Sequence, residues 1–212
     1  MAQSAGKFEN EIVSIEVKQK RREEIQLAED ETFNPSLTMK RVGFAPAVFK
    51  EEGSVTPANA CSISDGASAM LVMTAEKAQE LDYAPLARIV SYGYAGVEPH
   101  RMGIAPAYAA PKALEKAGLT LDQMDLIEIN EAFAGQVLAV GKELDWNWDK
   151  VNVNGGAIAL GHPVGSSGCR IVVTLVHELN RRKKADESVK YGLATLCAEG
   201  GQGSALILDI PN

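Results

Sequence analysis

The stretch Asn154-Gly155-Gly156-Ala157-Ile158-Ala159-Leu160-Gly161-His162-Pro163 is followed, 35 residues after its histidine, by Cys197, which opens Cys197-Ala198-Glu199-Gly200-Gly201-Gln202-Gly203. A third element, Asn130-Glu131-Ala132-Phe133, lies 32 residues before the same histidine. A potential base, a potential thiolate and a side-chain amide thus each stand where a strand pattern breaks into a Gly-rich or helix-opening turn. Such turns bring side chains and free N–H groups to the carboxyl edge of a sheet, where α/β proteins do chemistry.

Working outward, the surroundings alternate between strand and helix. Asp125-Leu126-Ile127-Glu128-Ile129 reads as a strand feeding a helix from about residue 131 to 144. A helix is expected from about residue 167 to 181, where Ile171, Val172, Leu175, Val176 and Leu179 recur at helical spacing. Strands are expected over 192–197 and 204–208, separated by the glycine turn. Upstream, Arg88 to Tyr92 reads as a strand, and Tyr108 to Lys116 as a helix stopped by Gly118. Ser68-Ala69-Met70-Leu71-Val72-Met73 is a continuous apolar run of the kind that forms a strand buried on both faces. Thr74 then reads as the N-cap of a helix to about Asp82, with Lys77 at its third position. Residues 1–54 are polar and charge-rich, with one alternating strand-like stretch, Ile12 to Val17, and loops at Asn34-Pro35 and Gly53. The pattern is α/β, a mixed sheet covered on both faces. Gly66-Ala67-Ser68-Ala69-Met70-Leu71-Val72 also echoes Gly203-Ser204-Ala205-Leu206-Ile207-Leu208, as a duplicated unit would.

Composition narrows the classes. With 46% apolar residues over 212 positions, the chain can bury a core. A net charge of −7 gives no footprint for nucleic acid. The basic clusters Lys18-Gln19-Lys20-Arg21-Arg22 and Arg181-Arg182-Lys183-Lys184 read as solvated surface, the first with a phosphorylated ligand as its alternative. Three widely spaced cysteines form neither a disulfide framework nor a zinc pattern, so a reducing, cytoplasmic setting without a metal is expected. No signal peptide and no apolar run near the ~18 residues of a membrane span is found, so no membrane association is expected.

Each candidate residue has a functional and a structural reading. His162, between Gly161 and Pro163, reads as a base or hydrogen-bond donor near neutral pH, or as a histidine satisfying local backbone groups. Cys197 meets a turn whose N–H groups would lower a thiol's pKa; otherwise it is a buried structural cysteine. Asn130 reads as a helix N-cap or as an amide holding a water or substrate oxygen. Glu131 reads as a general base or as a charge favourable at a helix start. Cys169 and His177 fall within helical patterns and read as structural, while Cys61 is ambiguous.

All three elements, in this order, resemble the C-terminal half of a thiolase. The likeness extends from about Ala2 to Ile210, through Gly6 to Ile12, Val55-Thr56-Pro57-Ala58-Asn59-Ala60 with Asp65-Gly66-Ala67, and Met102-Gly103-Ile104-Ala105-Pro106 leading into Pro111-Lys112-Ala113-Leu114. Overall texture resembles the degradative 3-ketoacyl-CoA thiolases more than the biosynthetic acetoacetyl-CoA enzymes. The resemblance implies an oligomeric acyltransferase of fatty acid metabolism, with a thiolase-like duplicated core of which only the C-terminal core is complete here. Residues 1–54 would be a remnant of the loop domain, 55–84 the last strand and helix of the N-terminal core, and 85–212 the C-terminal core. It implies coenzyme A and acyl-CoA as substrates and no covalently bound cofactor. Carried over, His162 would activate a nucleophilic cysteine and help bind the thioester oxygen. Cys197 would protonate the departing acetyl-CoA enolate or remove its α-proton in synthesis, and Asn130 would hold the water of the first oxyanion hole. The N–H groups after Cys197, that of Glu199 among them, would serve the second. Phe49, Ala60, Cys61, Ala132 and Phe133 would line the pantetheine channel.

The sequence departs from the family at three points. Glu199 stands where the family has glycine, Cys61 replaces a serine, and the segment bearing the nucleophilic cysteine is expected to belong to a complementary N-terminal thiolase polypeptide. The isolated chain is therefore expected to be inactive and, with the apolar run 68–73 uncovered, to associate with that partner or with itself. Two alternatives stand beside this reading: a non-catalytic thiolase-like acyl-CoA binding protein or scaffold, and a Cys-His thioesterase or hydrolase using Cys197, for which no third residue orients His162.

Overall fold

The computed structural model describes residues 2–18 and 24–211. Residues 19–22 of the first basic cluster lie outside the described residues, so its reading as a phosphate contact is not addressed. In the N-terminal part, β1 (Ile15–Val17) pairs antiparallel with β2 (Ile25–Leu27), and a short helix α1 (Met39–Gly43) follows. Helix α2 (Ala75–Glu80) starts as its sequence asks, with the Thr74 hydroxyl accepting from the N–H of Lys77 at 3.2 Å.

The main body is built on four strands: β3 (Arg88–Gly96), β4 (Leu126–Ile129), β5 (Tyr191–Ala198) and β6 (Gln202–Asp209). Their order is β3-β6-β5-β4; β4 and β5 run parallel and the other pairs antiparallel, the mixed sheet expected. Four helices accompany it: α3 (Pro106–Ala117), α4 (Ala134–Leu144), α5 (Ala157–Leu160) and α6 (Val164–Lys183). Helix α3 stops at Gly118, whose φ of 66° closes it in the left-handed region. One face of the sheet buries Ile127, Ile129, Leu193, Ala205 and Ile207 against the alanines of α3 and Val137 and Val140 of α4. The other buries Leu126, Ala194 and Leu208 against Ile171, Leu175 and Leu179 of α6. Side chains alternate across β4, so Leu126 and Glu128 share the face toward α6.

Close approach of α3 to the sheet depends on Gly93. A Cβ there would lie 2.5 Å from the carbonyl oxygen of Ala109 and 2.7 Å from the nitrogen of Ala113. Those are backbone atoms that cannot swing aside, so the helix can rest on β3 only where the strand has no side chain.

The run 68–73 departs from its expected strand. Among the described residues no strand pairs with it, and Met70, Leu71 and Val72 are 42, 75 and 63% exposed. Apolar composition makes a segment competent for a buried strand, but the strand exists only when a neighbour supplies the ladder. Its echo of the segment entering β6 is thus an echo of sequence and not of paired structure in this chain. Helix α4 starts three residues later than expected, because 130–133 is taken up by contacts to other segments. Phe133, not Asn130, is its N-cap, so Asn130 is not the capping residue considered above. Helix α6 starts earlier, at Val164, directly after Pro163. The second basic cluster is also more than solvated surface: Arg181 and Arg182 pair with the buried Glu178, and Lys183 donates to the Ile210 carbonyl at 3.1 Å.

Candidate active site

Because β4 and β5 are parallel, their carboxyl ends lie at one edge of the sheet, where the candidate residues gather. Asn130 extends β4 by one step, its N–H donating to Thr195 O of β5 at 3.1 Å. The residue is 1% exposed. The loop that follows is held by Asn152, whose side chain bonds both backbone groups of Ile129 (2.8 and 2.9 Å) and Glu131 Oε1 (2.8 Å). Glu131 is neither at a helix start nor free to act as a base. Its carboxylate accepts from Asn152 and from the N–H of Ile158 at 3.0 Å, clamping the Gly-rich loop to the end of β4. Gly156 permits this approach, since a Cβ there would collide with the carboxylate.

The Gly-rich loop leads into the four residues of α5 and then turns at Gly161, whose φ is 99°. This turn puts the His162 N–H on the carbonyl of Ser62 at 3.1 Å. On the imidazole, Nδ1 lies 2.6 Å from the Ser167 hydroxyl and Nε2 lies 3.3 Å from Asn130 Nδ2. The Ser167 hydroxyl donates to Pro163 O at 3.1 Å, so it accepts from His162, which places the ring proton on Nδ1. Nε2 is then left as an acceptor facing the Asn130 amide. Burial, with the Arg170 guanidinium second, holds the imidazole's pKa below its ordinary value. The Asn130 Oδ1 is buried and has no partner among the described residues. Sequence reasoning missed Ser167 as the residue orienting His162. Its signal was its place one turn into the helix that Pro163 opens, five residues after the histidine.

Cys197 lies within β5 rather than at its end, opposite Gly203 of β6, and is 8% exposed. Burial pushes its thiol up to about 11, and the neighbouring Cys61 thiol adds to the shift. The glycine turn does not lower it as expected. Gly200 and Gly201 do take left-handed φ values of 79° and 85°, but the sulfur sits in the strand, where lost hydration outweighs the backbone contact. Glu199 is exposed in that turn, its carbonyl accepting from the Gln202 side chain at 3.3 Å.

Segment 60–63 joins the parts. The Cys61 N–H donates to Ala132 O at 3.1 Å, Ala60 bridges Phe133, and the next residue, Ser62, accepts from His162. Phe49 meets Phe133 edge to face, with ring centroids 6.1 Å apart. The five residues Phe49, Ala60, Cys61, Ala132 and Phe133 are thus linked by contacts with one another, and Ser62 ties their segment to the His162 backbone. An open cleft of ≈ 400 Å³, lined by residues 64–68 and 163–166, adjoins His162. Cys169 and His177 lie on α6, outside this group. Among the described residues, no group of three or more His, Cys, Asp or Glu could hold a metal, and no helix is long and apolar enough to cross a membrane.

An imidazole, an amide and a thiol thus lie toward one edge of the mixed sheet. Residues 83–210 match the family model described as thiolase, C-terminal domain, and residues 1–76 that of the thiolase N-terminal domain. The chain belongs to the thiolase family. It is 53% identical over 203 residues to an acetyl-CoA acetyltransferase of Pseudomonas aeruginosa, a match that spans 96% of this chain and 50% of that protein. Among solved structures, the acetyl-CoA acetyltransferase of Bacillus anthracis superposes with a TM-score of 0.94 at 45% identity, covering 99% of this chain and 52% of that one. Human mitochondrial 3-ketoacyl-CoA thiolase superposes at 0.90 with 44% identity, covering 100% and 52%, and the same human enzyme has been solved in complex with CoA. Names from both branches of the family thus occur among the relatives. The chain spans about half the length of the curated relatives it matches.

Proposed function

We propose that this chain supplies the base, the amide and the acid/base thiol of a thiolase, which transfers acyl groups between 3-ketoacyl-CoA and acetyl-CoA plus acyl-CoA. The hydrogen-bonded chain Asn130–His162–Ser167 carries this reading. It presents an unprotonated Nε2 beside a buried amide oxygen that lacks a partner. Nε2 can take the proton of a nucleophilic thiol and, once protonated, donate to the thioester oxygen. Asn130 Oδ1 has the free acceptor capacity to hold a water. In the cleavage direction the C–C bond breaks with its electron pair going to the α-carbon of the acetyl-CoA enolate, which takes a proton from the Cys197 sulfur. A thiol at about 11 is protonated at neutral pH and suited to that donation. Glu199, Gly200 and Gly201 would offer backbone donors to the second oxyanion, and Phe49, Ala60, Cys61, Ala132 and Phe133 would receive the pantetheine arm.

By the family's pattern the nucleophilic cysteine matches none of Cys61, Cys169 and Cys197. We assign it to residues beyond these 212, for example a complementary N-terminal thiolase polypeptide in an oligomeric, cytoplasmic enzyme. Residues 1–54, 55–84 and 85–212 would then be loop-domain, N-terminal-core and C-terminal-core parts. Hydrolysis through Cys197 is the weaker reading. Ser167 does supply the orienting residue such a pair needs, but a buried thiol at about 11 offers almost no thiolate at neutral pH.

The test is thiolysis of acetoacetyl-CoA and of a longer 3-ketoacyl-CoA, by the chain alone and after mixing with a thiolase N-terminal polypeptide that carries the nucleophile. Turnover is expected only in the mixture, and it should be lost with His162→Ala or Cys197→Ser. Coenzyme A-dependent turnover by the chain alone, or full activity in both variants, would refute the assignment.

A further inference from the structure

Strand β4 is the outer strand of the sheet, and among the described residues only a single bridge, from Ile127 to Val151, continues the sheet beyond it. Asn152 comes next, with a left-handed φ of 45°, a conformation that asparagine tolerates better than most residues with a side chain. Its N–H donates to Ile127 O at 2.9 Å, and its side chain then stands in for the absent strand. Oδ1 accepts from the Ile129 N–H at 2.8 Å, and Nδ2 donates to Ile129 O at 2.9 Å. The planar peptide unit that joins Ile129 to Asn130 is thereby pinned at both ends, its carbonyl by Asn152 and its N–H by Thr195 O at 3.1 Å. Asn152 Nδ2 donates also to Glu131 Oε1 at 2.8 Å, while Glu131 Oε2 accepts from the N–H of Ile158 at 3.0 Å. Ile158 lies four residues before His162. Asn130 Nδ2 meets His162 Nε2 at 3.3 Å, near the long end for a hydrogen bond, so a small displacement of either loop breaks the contact.

We propose that Asn152 and Glu131 are positioning residues for the Asn130 amide, acting as one unit that fixes the distance between that amide and the His162 ring. This deepens the reading of Asn130 and His162 as the site and rests on it. The pair reaches the amide through the residues on either side of it, Ile129 and Glu131, and reaches the imidazole through the short stretch from Ile158. The pattern of donors and acceptors dictates the residue types. Asn152 cannot turn its amide over, because Oδ1 and Nδ2 are each matched to a backbone group of Ile129. Glu131 is therefore approached by two donors, Asn152 Nδ2–H and Ile158 N–H, and a carboxylate offers an acceptor to each. A glutamine in its place would turn its own donor toward one of them, and an aspartate is one methylene shorter. The 130–133 segment and the Gly-rich loop thus depend on the same two side chains, so loosening either one should let the amide and the imidazole drift apart.

The experiment is NMR of the 212-residue chain, reading the through-space contact between the Asn130 side-chain amide protons and the carbon-bound ring protons of His162. The two signals are assigned by their loss in Asn130→Asp and His162→Gln. No turnover is needed, so the placement of the two groups is judged separately from the activity proposed for them. The contact should be present in the parent chain and lost in Glu131→Gln and in Asn152→Gly, the second of which suits the left-handed φ and removes only the side chain. The double variant Glu131→Gln with Asn152→Asp reverses the direction of the bond between the pair. Its new amide can donate to its new carboxylate while the N–H groups of Ile158 and Ile129 keep their acceptors, and only the Ile129 carbonyl loses its donor. It should therefore regain the contact at reduced intensity. Either single variant keeping the contact at parental intensity, with a native amide spectrum, overturns the proposal. So does a double variant no better than the singles, and so does loss of the folded spectrum in both singles, which would make the pair a support of the core. Absence of the contact in the parent chain would refute the Asn130–His162 site itself, and the proposal with it.

Discussion

Replacing Ser167 with alanine removes one buried hydroxyl that makes two hydrogen bonds, and the structure decides which of them matters. The bond to Pro163 O is dispensable, because that carbonyl also accepts from the N–H groups of Ser166 at 2.8 Å and Ser167 at 2.9 Å. The bond from His162 Nδ1 has no such substitute, since Asn130 engages the opposite side of the ring. A buried donor left without an acceptor costs about 1–3 kcal/mol. His162 is only half-buried and water can reach part of the ring, so a loss of about 1–2 kcal/mol in urea unfolding is expected. The chemical consequence should exceed the energetic one. Without Ser167 only the Asn130 amide at Nε2 still favours the Nδ1 proton, so the Nε2–H tautomer gains population and the base nitrogen is blocked in part of the molecules. In the two-part assay, thiolysis should fall about 10–100-fold with native folding retained. Ser167→Thr, which keeps the hydroxyl, should retain more activity than the alanine variant. Unchanged stability and unchanged tautomer populations in Ser167→Ala would show that the hydroxyl does not orient the ring.

Stability should fall as pH rises from about 5 to 8. Burial raises Glu128 to about 8 and Glu11 to about 7, so across that window the folded state binds more protons than the unfolded chain, whose carboxyls titrate near their ordinary values. Glu128→Gln should flatten the decline in a pH series of urea midpoints, and a flat profile in the parent chain would contradict the burial of these acids. Gly93→Ala should destabilise by about 1–3 kcal/mol, because the new methyl meets backbone atoms of α3; a neutral outcome would mean that the helix can slide off β3. Glu199→Gly should leave turnover of the reconstituted enzyme within about twofold, because its side chain is exposed and surface changes cost little. A gain near tenfold would mean that the carboxylate opposes the oxyanion.

Local signals in the chain were sufficient for the elements that close on themselves. Thr74 predicts the start of α2, Gly118 the end of α3, and the i, i+3, i+4 recurrence of Ile171, Leu175 and Leu179 the buried face of α6, because caps and amphipathic stripes are written within a few residues. The alternation of strand and helix likewise determined an α/β sheet, and the His162, Cys197 and Asn130 motifs determined where to look for its site. Only the tertiary structure decided what depends on partners distant in sequence. The run 68–73 has the composition of a buried strand and yet lies unpaired, since a ladder needs a neighbour that composition cannot supply. Glu131 turned from candidate base to loop clamp because Asn152 and Ile158, more than twenty residues away, reach its two oxygens. Cys197 carries a raised rather than a lowered pKa, because the glycine turn beside it is local but the burial of its sulfur is set by the whole sheet. Motif spacing names the groups that can exchange protons, and packing determines which of them holds the proton at neutral pH.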